Sequence, residues 1–449
     1  MAPLACLLQE QGHRVRGTDG PLYPPMSTLL ERAGIHPQVG YDSAHFETRP
    51  DLVIVGNAIH RNNPEAVEAE RLGLPVLSMP QALARFFLSR HRPLVVAGTH
   101  GKTTTTAMAA WVYTACGADP GYLIGGAPRD LPASFHDGAG PRFVIEGDEY
   151  NAAYFDRGPK FLHYLPDTLI LTSVEYDHAD LYPNPEVLWD AYSQLLRLLP
   201  ETGLLVACGD DPKVRELAAQ ARCRVLFYGL DPSNDLHPEG EIEACPEGSR
   251  FRVEGIEVLL PMAGAHNVSN CLGVWAAARH DGLPAADVVS ALARFHGVKR
   301  RLEELGTARG VTVVDDFAHH PTAVEKTLIA LRQRYPGRRL VVLFEPRSLT
   351  AGRRFFYEPY REAFAHTDRA LLAPTFHEGR LAPEERLDFH ALAEELSASG
   401  VPTNVGADTA DLLRTALDEA REGDVLVTMS SGSFDGMPYR LYEGLQVTK

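Results

Sequence analysis

The chain has 449 residues, 45% of them hydrophobic, and 43 Lys and Arg stand against 59 Asp and Glu for a formal net charge of -16. That length exceeds one core and implies two to four domains of roughly 100–200 residues, and an acidic balance spread along the chain argues against nucleic acid as a partner. No apolar run approaches the ~20 residues needed to cross a bilayer and no basic-then-apolar leader opens the chain, so the expectation is a cytoplasmic protein with no membrane partner.

Residues 1–90 alternate in the manner of a Rossmann-like α/β domain. Helix-like residues run to Gly12, and strands are predicted at His13–Gly17, Asp51–Val55 and Leu74–Leu77. Asp19, just past a strand end, occupies the kind of position where an acid meets a ribose hydroxyl. Sheets of this type usually begin with a strand and a glycine-rich turn, whereas this chain opens within its first helix; the start at Met1 therefore reads as late. Six cysteines (6, 116, 208, 223, 245 and 271) lack C-x-x-C spacing, so they suggest neither a disulfide framework nor a thiolate zinc site.

His91-Arg92-Pro93 marks a linker into a second region, 91–297, with predicted strands Leu94–Ala97, Arg142–Glu146, Thr168–Thr172 and Gly203–Ala207 in a mostly parallel sheet. The first strand runs into Gly98-Thr99-His100-Gly101-Lys102-Thr103-Thr104. Two glycines let several N–H groups face one anion, a helix starting near Lys102 adds its positive end, Lys102 reaches outer phosphates, and Thr103 offers a hydroxyl to magnesium. The loop is shorter than the usual phosphate-loop spacing. The next strands end in Glu146-Gly147-Asp148-Glu149 and lead to Asp177-His178-Ala179-Asp180. Solvated loops carry such acids too, but clustering at successive strand ends places these beside the phosphates, where oxygen donors and an imidazole suit a hard cation. A glycine-rich stretch from Pro232 to Pro261 predicts a small antiparallel patch. His266-Asn267-Val268-Ser269-Asn270 then opens an alanine-rich helix on which Asn267 and Asn270 share a face, suited to an adenine edge or to a plain helix cap.

The third region, 298–449, repeats the alternation with predicted strands Val311–Asp315, Arg339–Leu343, Arg369–Leu372 and Asp424–Met429. Lys299-Arg300-Arg301 lies near its start, either a solvated basic face or a source of charge for the γ-phosphate. Asp315-Asp316-Phe317-Ala318-His319-His320-Pro321 follows a strand.

Five of these motifs, the phosphate loop, Glu146–Glu149, Asp177–Asp180, His266–Asn270 and Asp315–Pro321, stand in the order that resembles the Mur ligases, ATP-dependent amide-forming enzymes of peptidoglycan synthesis. The resemblance implies a three-domain α/β architecture: a Rossmann-like UDP-sugar domain, a central phosphate-loop ATPase-like sheet, and a Rossmann-like third domain closing on ATP and binding the acceptor. It implies ATP and Mg2+ as cofactors, with Gly98, Thr99, His100, Gly101, Lys102, Thr103 and Thr104 around the phosphates, and His266, Asn267, Asn270, Arg301 and Asp316 on the nucleotide. Thr103, Glu149 and His178 would hold the metal. Lys102, Glu149, His178, Arg301 and His319 would serve catalysis, Asp19, Ser27 and Asn57 the UDP-sugar, and Arg347 and Ser348 a carboxylate of the incoming peptide.

Within the family, Tyr23-Pro24-Pro25-Met26-Ser27, Glu149-Tyr150, Phe155-Asp156, Lys160-Phe161, Phe317-Ala318-His319-His320 and Glu345-Pro346-Arg347-Ser348 resemble members that join UDP-N-acetylmuramate to a murein tripeptide, L-alanyl-γ-D-glutamyl-meso-diaminopimelate, as a monomer or weak homodimer. Members that add L-alanine are the alternative, and an ATPase without ligase activity is a second. The strand and turn that cradle the UDP diphosphate in the family are missing here, which bears on substrate affinity. The helix after Asp180 has no lysine and so implies no carbamylated ligand.

Overall fold

The computed structural model describes residues 1–23, 26–376 and 378–447. Pro24 and Pro25, part of one motif noted above, lie outside them. The chain divides into two compact units, one of Met1–Glu175, Pro185–Asp235 and Gly273–Val288, the other of Tyr176–Asn184, Leu236–Leu272 and Val289–Lys449. Neither is contiguous in sequence.

The first unit is organised by a seven-stranded sheet in the order Arg224–Tyr228, Leu204–Cys208, Thr168–Leu171, Arg92–Ala97, Arg142–Gly147, Gly121–Leu123, Phe135–His136. All neighbours are parallel except the last pair. Leu94, Val95, Val96 and Ala97 are wholly buried, as a central strand covered on both faces must be, which is why it reads as an unbroken apolar run. Register places Val96 opposite Glu146 and Ala97 opposite Gly147, so the phosphate loop and the acidic cluster leave the same edge of the sheet. Crevices beyond the carboxyl ends of such strands are where α/β proteins bind ligands.

Toward the N-terminus are two separate parallel pairs, Thr18–Asp19 with Gln38–Val39 and Val53–Val55 with Val76–Ser78. The expected strand His13–Gly17 does not form. Its His13, Arg14 and Arg16 are exposed, so the segment has no apolar face to hold against a neighbour. Ser78 and Gln81 close a reciprocal capping box on the helix Met79–Phe86. A hairpin of Asn151–Ala153 with Asp156–Pro159 follows the acidic cluster.

The second unit holds a six-stranded sheet in the order Glu303–Ala308, Val311–Asp316, Val425–Met429, Leu340–Phe344, Arg369–Leu372, Thr403–Val405. Only the first strand runs antiparallel. One face, which includes Phe344, packs on Val324, Leu328 and Leu331 of the helix Pro321–Arg334 and on Tyr360, Phe364 and Phe389; the other packs on Leu412, Ala416, Met437 and Leu441. The glycine-rich stretch forms the expected antiparallel patch, Glu243–Cys245, Gly248–Val253 and Ile256–Leu260. Among the described residues no helix is long and apolar enough to cross a membrane.

Candidate active site

In the first unit the loop after Ala97 bends at Gly98 (φ +133°) and Gly101 (φ +80°). A Cβ on Gly98 would stand 2.2 Å from Thr172 Oγ1 and 2.8 Å from the Ser173 backbone, so the loop is laid directly on the neighbouring strand end and only glycine fits. Cross-links fix it there. Thr99 N–H donates to Ser173 O (2.9 Å), His100 N–H to Ser173 Oγ (3.0 Å), and Thr172 Oγ1 to His100 O (2.6 Å). His100 Nε2 lies 2.9 Å from Glu175 Oε2. The helix Lys102–Ala115 begins with no side-chain cap, leaving its first-turn amides and positive end turned to the loop.

The three acids of Glu146–Glu149 have three separate addresses. Glu149, 3% exposed, takes Lys102 Nζ at 2.9 and 3.1 Å. Glu146 accepts from Thr103 Oγ1 (2.9 Å) and from the Gly125 N–H (2.9 Å). Asp148 takes Lys160 Nζ at 3.1 Å and a hydrogen bond from Tyr150, over whose ring the same ammonium sits 4.0 Å from the centroid. Burial pulls the Lys102 pKa down, but Glu149, Asp148 and Glu146 more than reverse it, so the ammonium holds its charge beside the loop. The sequence expectation gave Glu149 to the metal with Thr103. The geometry puts Glu149 on Lys102 and brings Glu146, placed by the sequence among the acids beside the phosphates, to the Thr103 hydroxyl. Its position near the end of the central strand pair was the available signal.

In the second unit His178 adopts a left-handed backbone (φ +53°), a conformation that costs a non-glycine residue of order 1–3 kcal/mol. Its N–H donates to Asp177 Oδ1 (2.6 Å). Burial raises the pKa of Asp177, but the fields of His178, His319 and His320, with that N–H, carry it well below the usual carboxylate range. Burial lowers the His319 pKa against the pull of Asp177, and its Nδ1 lies 3.1 Å from Phe317 O. An anionic Asp177 among three imidazoles is therefore the electrostatic centre of this cluster, in which the sequence assigned individual roles to His178 and His319 and placed Asp177 among the acids beside the phosphates.

Arg301 sits between two left-handed residues, Arg300 (φ +60°) and Leu302 (φ +50°). The turn is held because Asp316 accepts from Leu302 N–H (2.6 Å) and Ala318 N–H (2.7 Å), while the Arg301 guanidinium stacks 4.7 Å from the Phe317 centroid. Asp316 also accepts from Thr327 Oγ1 (3.4 Å). Asn267 Nδ2 donates to Ala263 O (2.8 Å) and Asn270 Nδ2 to Asn267 Oδ1 (3.4 Å); both are buried. Burial, with Lys326 nearby, drives the His266 pKa down to about 4. Arg347 lies 3.5 Å over the Phe376 ring and 3.3 Å from Glu345 Oε1, and Ser348 Oγ caps Ala351 N–H (3.0 Å).

The three residues expected at the UDP-sugar belong to the first unit. Asp19 is exposed and its Oδ1 accepts from Gly20 N–H and Tyr41 Oη. Ser27 is half-buried in the helix Met26–Arg32. Asn57 is exposed in the turn beyond Val53–Val55.

Sequence profiles match along nearly the whole chain: "Mur ligase family, catalytic domain" at 1–91, "Mur ligase middle domain" at 96–278, and "Mur ligase, glutamate ligase domain" at 300–432. The chain belongs to the Mur ligase family. Over 99% of its length this Mur ligase is 38% identical to the Escherichia coli K12 protein named UDP-N-acetylmuramate--L-alanyl-gamma-D-glutamyl-meso-2,6-diaminoheptandioate ligase, covering 96% of that protein. It is 34% identical over 96% of its length to the UDP-N-acetylmuramate--L-alanine ligase of Oleidesulfovibrio alaskensis, covering 94% of it. Among solved structures it resembles a murein peptide ligase from Psychrobacter arcticus 273-4, with TM-score 0.73 and 32% identity over 100% of this chain and 97% of the other.

Proposed function

We propose that this Mur ligase joins UDP-N-acetylmuramate to L-alanyl-γ-D-glutamyl-meso-diaminopimelate at the expense of ATP, in the cytoplasm, as a monomer or weak homodimer. The observation that carries this reading is the 38% identity, over nearly the full length of both chains, to an E. coli ligase named for those two substrates. In this reading residues 1–90 take the UDP-sugar, 91–297 the nucleotide, and 298–449 the peptide.

The reaction needs an activated acyl group, because a free carboxylate is a poor donor and phosphate a competent leaving group. The lactyl carboxylate of the muramate attacks the γ-phosphate, giving an acyl phosphate and ADP; the peptide amine then displaces phosphate. Most of the protein's share is positioning and charge neutralisation. Lys102 exchanges Glu149 for phosphate oxygens, and the uncapped amides of the helix Lys102–Ala115 hold the remainder. Thr103 and Glu146 offer an oxygen pair suited to a hard cation, so magnesium would sit there and neutralise phosphate charge; Glu149 and His178 remain candidates for the same shell. Arg301 serves the developing phosphate charge, Asn267, Asn270, His266 and Asp316 the nucleoside, and His319 the reacting centre. The Arg347 guanidinium, whose planar fork matches a carboxylate, takes one from the peptide beside Ser348.

The test is phosphate release with ATP, magnesium and UDP-N-acetylmuramate, with the tripeptide and L-alanine offered in parallel. Release with the tripeptide alone is expected. Release with L-alanine alone would move the activity to that of the Oleidesulfovibrio relative.

A further inference from the structure

Two loops leave the carboxyl ends of the adjacent parallel strands Leu340–Phe344 and Arg369–Leu372. They border a hollow of about 470 Å³ lined by Arg353, Arg354, Phe355 and Glu385, large enough for the head of a small ligand. The loops are fastened to each other: Leu387 N–H donates to Gly352 O (2.8 Å), and Arg353 faces Arg386 in an antiparallel bridge. Across the hollow Arg353 Nη1 meets Glu385 Oε1 at 3.1 Å, with side chains 21% and 47% exposed. The Arg353 Nε is buried and has no hydrogen-bond partner among the described residues. Arg354 and Phe355 are exposed beside them.

The hollow adjoins the histidine cluster of the same unit. Phe355 lies 5.9 Å from the Tyr176 ring and 4.5 Å from Phe356, which in turn lies 4.7 Å from His320. Thr350 Oγ1 accepts from Ala179 N–H at 3.1 Å. A ligand seated in the hollow therefore ends next to the segment that carries Asp177 and His178.

We propose that Arg353 and Glu385 receive the distal zwitterion of the acceptor peptide, the free ammonium and carboxylate at the far end of a diamino dicarboxylic residue. This rests on the acceptor reading above and names what would select its third residue. An arginine and a glutamate side by side are the complement of an α-amino-acid head: the carboxylate takes the guanidinium fork and the ammonium takes Glu385. Their mutual ion pair holds the site ready, and because it is partly solvated it is weak enough to be exchanged for ligand contacts. Arg354 leaves the hollow with one positive charge in excess, favouring a peptide with more carboxylates than amines. A side chain ending in a lone ammonium would satisfy Glu385 and leave Arg353 unanswered.

The experiment compares three acceptors with the 449-residue enzyme: the tripeptide ending in meso-diaminopimelate, the same tripeptide ending in L-lysine, and the dipeptide L-alanyl-γ-D-glutamate. Acceptors that turn over poorly are scored by their inhibition constants. Arg353→Ala is expected to raise KM about tenfold for the diaminopimelate peptide alone, with kcat within about twofold, and Arg353→Lys to recover part of the loss. Glu385→Gln is expected to raise KM for both tripeptides and to leave the dipeptide unchanged. A common factor across all three acceptors would show that the pair only ties the loops together, and no change in any would show that the hollow is unused; either overturns the proposal. A wild-type enzyme that ignores the tripeptide overturns the acceptor reading itself, an outcome visible before any variant is made.

Discussion

At the scale of single residues, the phosphate loop concentrates the strongest expectations. Lys102→Ala should lower kcat/KM for ATP-dependent phosphate release by about 10²–10³, the range for losing one preorganised donor at developing charge, and should leave Glu149 buried without its cation. Gly98→Ala drives a Cβ into Thr172 Oγ1 and the Ser173 backbone, so both nucleotide binding and the melting temperature should fall; a variant that melts and binds like wild type would show that the loop relocates at little cost. Asp315 gives a prediction in pH. Burial, resisted by Arg300 and Thr428, lifts its pKa from 3.8 to about 6, so the folded chain holds this proton more tightly than the unfolded one. Its contribution is full below about pH 4 and is lost as pH rises to about 6, on the order of 3 kcal/mol. Urea unfolding from pH 4 to 7 should therefore show Asp315→Asn gaining on wild type across that window, and parallel curves would refute the shift.

Elements depend on polar anchors as much as on apolar faces. Arg142, 4% exposed at the start of a central strand, bonds Asp281 through Nε (2.6 Å) and Nη2, and Tyr113 Oη of the phosphate-loop helix donates to the same carboxylate (2.5 Å). Asp281→Ala would remove two bonds of the buried guanidinium and leave it Asp167 through Nη1, at a cost of about 1–3 kcal/mol readable by chemical denaturation. None of this was legible in the sequence, because Arg142 and Asp281 are far apart in the chain and neither belongs to a motif. The central strands were legible, since Leu94–Ala97 and Thr168–Leu171 are covered on both faces and must read as apolar runs. The short edge pairs Gly121–Leu123 with Phe135–His136, and Asn151–Ala153 with Asp156–Pro159, escaped notice because two- to four-residue strands have no period to detect. The site divides in the same way. The phosphate loop could be read because backbone chemistry demands its glycines, whereas the sorting of Glu146 to Thr103 and Glu149 to Lys102 depends on which side chain faces which at a strand end, and the Arg353–Glu385 pair on two loops meeting only after folding.

For the whole molecule, a ligand that binds the folded chain alone raises its stability by mass action, by about 2.7 kcal/mol at a hundredfold excess over Kd. An ATP analogue with magnesium should raise Tm, and Lys102→Ala should blunt that rise. The reason lies at Gly101, where the helix Lys102–Ala115 begins with no side chain to cap it. Most helices carry that cap in their own sequence. On the function proposed above the nucleotide completes the first turn, so amide hydrogens at 102–104 should exchange quickly in the bare protein and slowly once it is loaded. On that reading the supply of triphosphate would set how long the enzyme survives heat and proteases, as well as how fast it turns over.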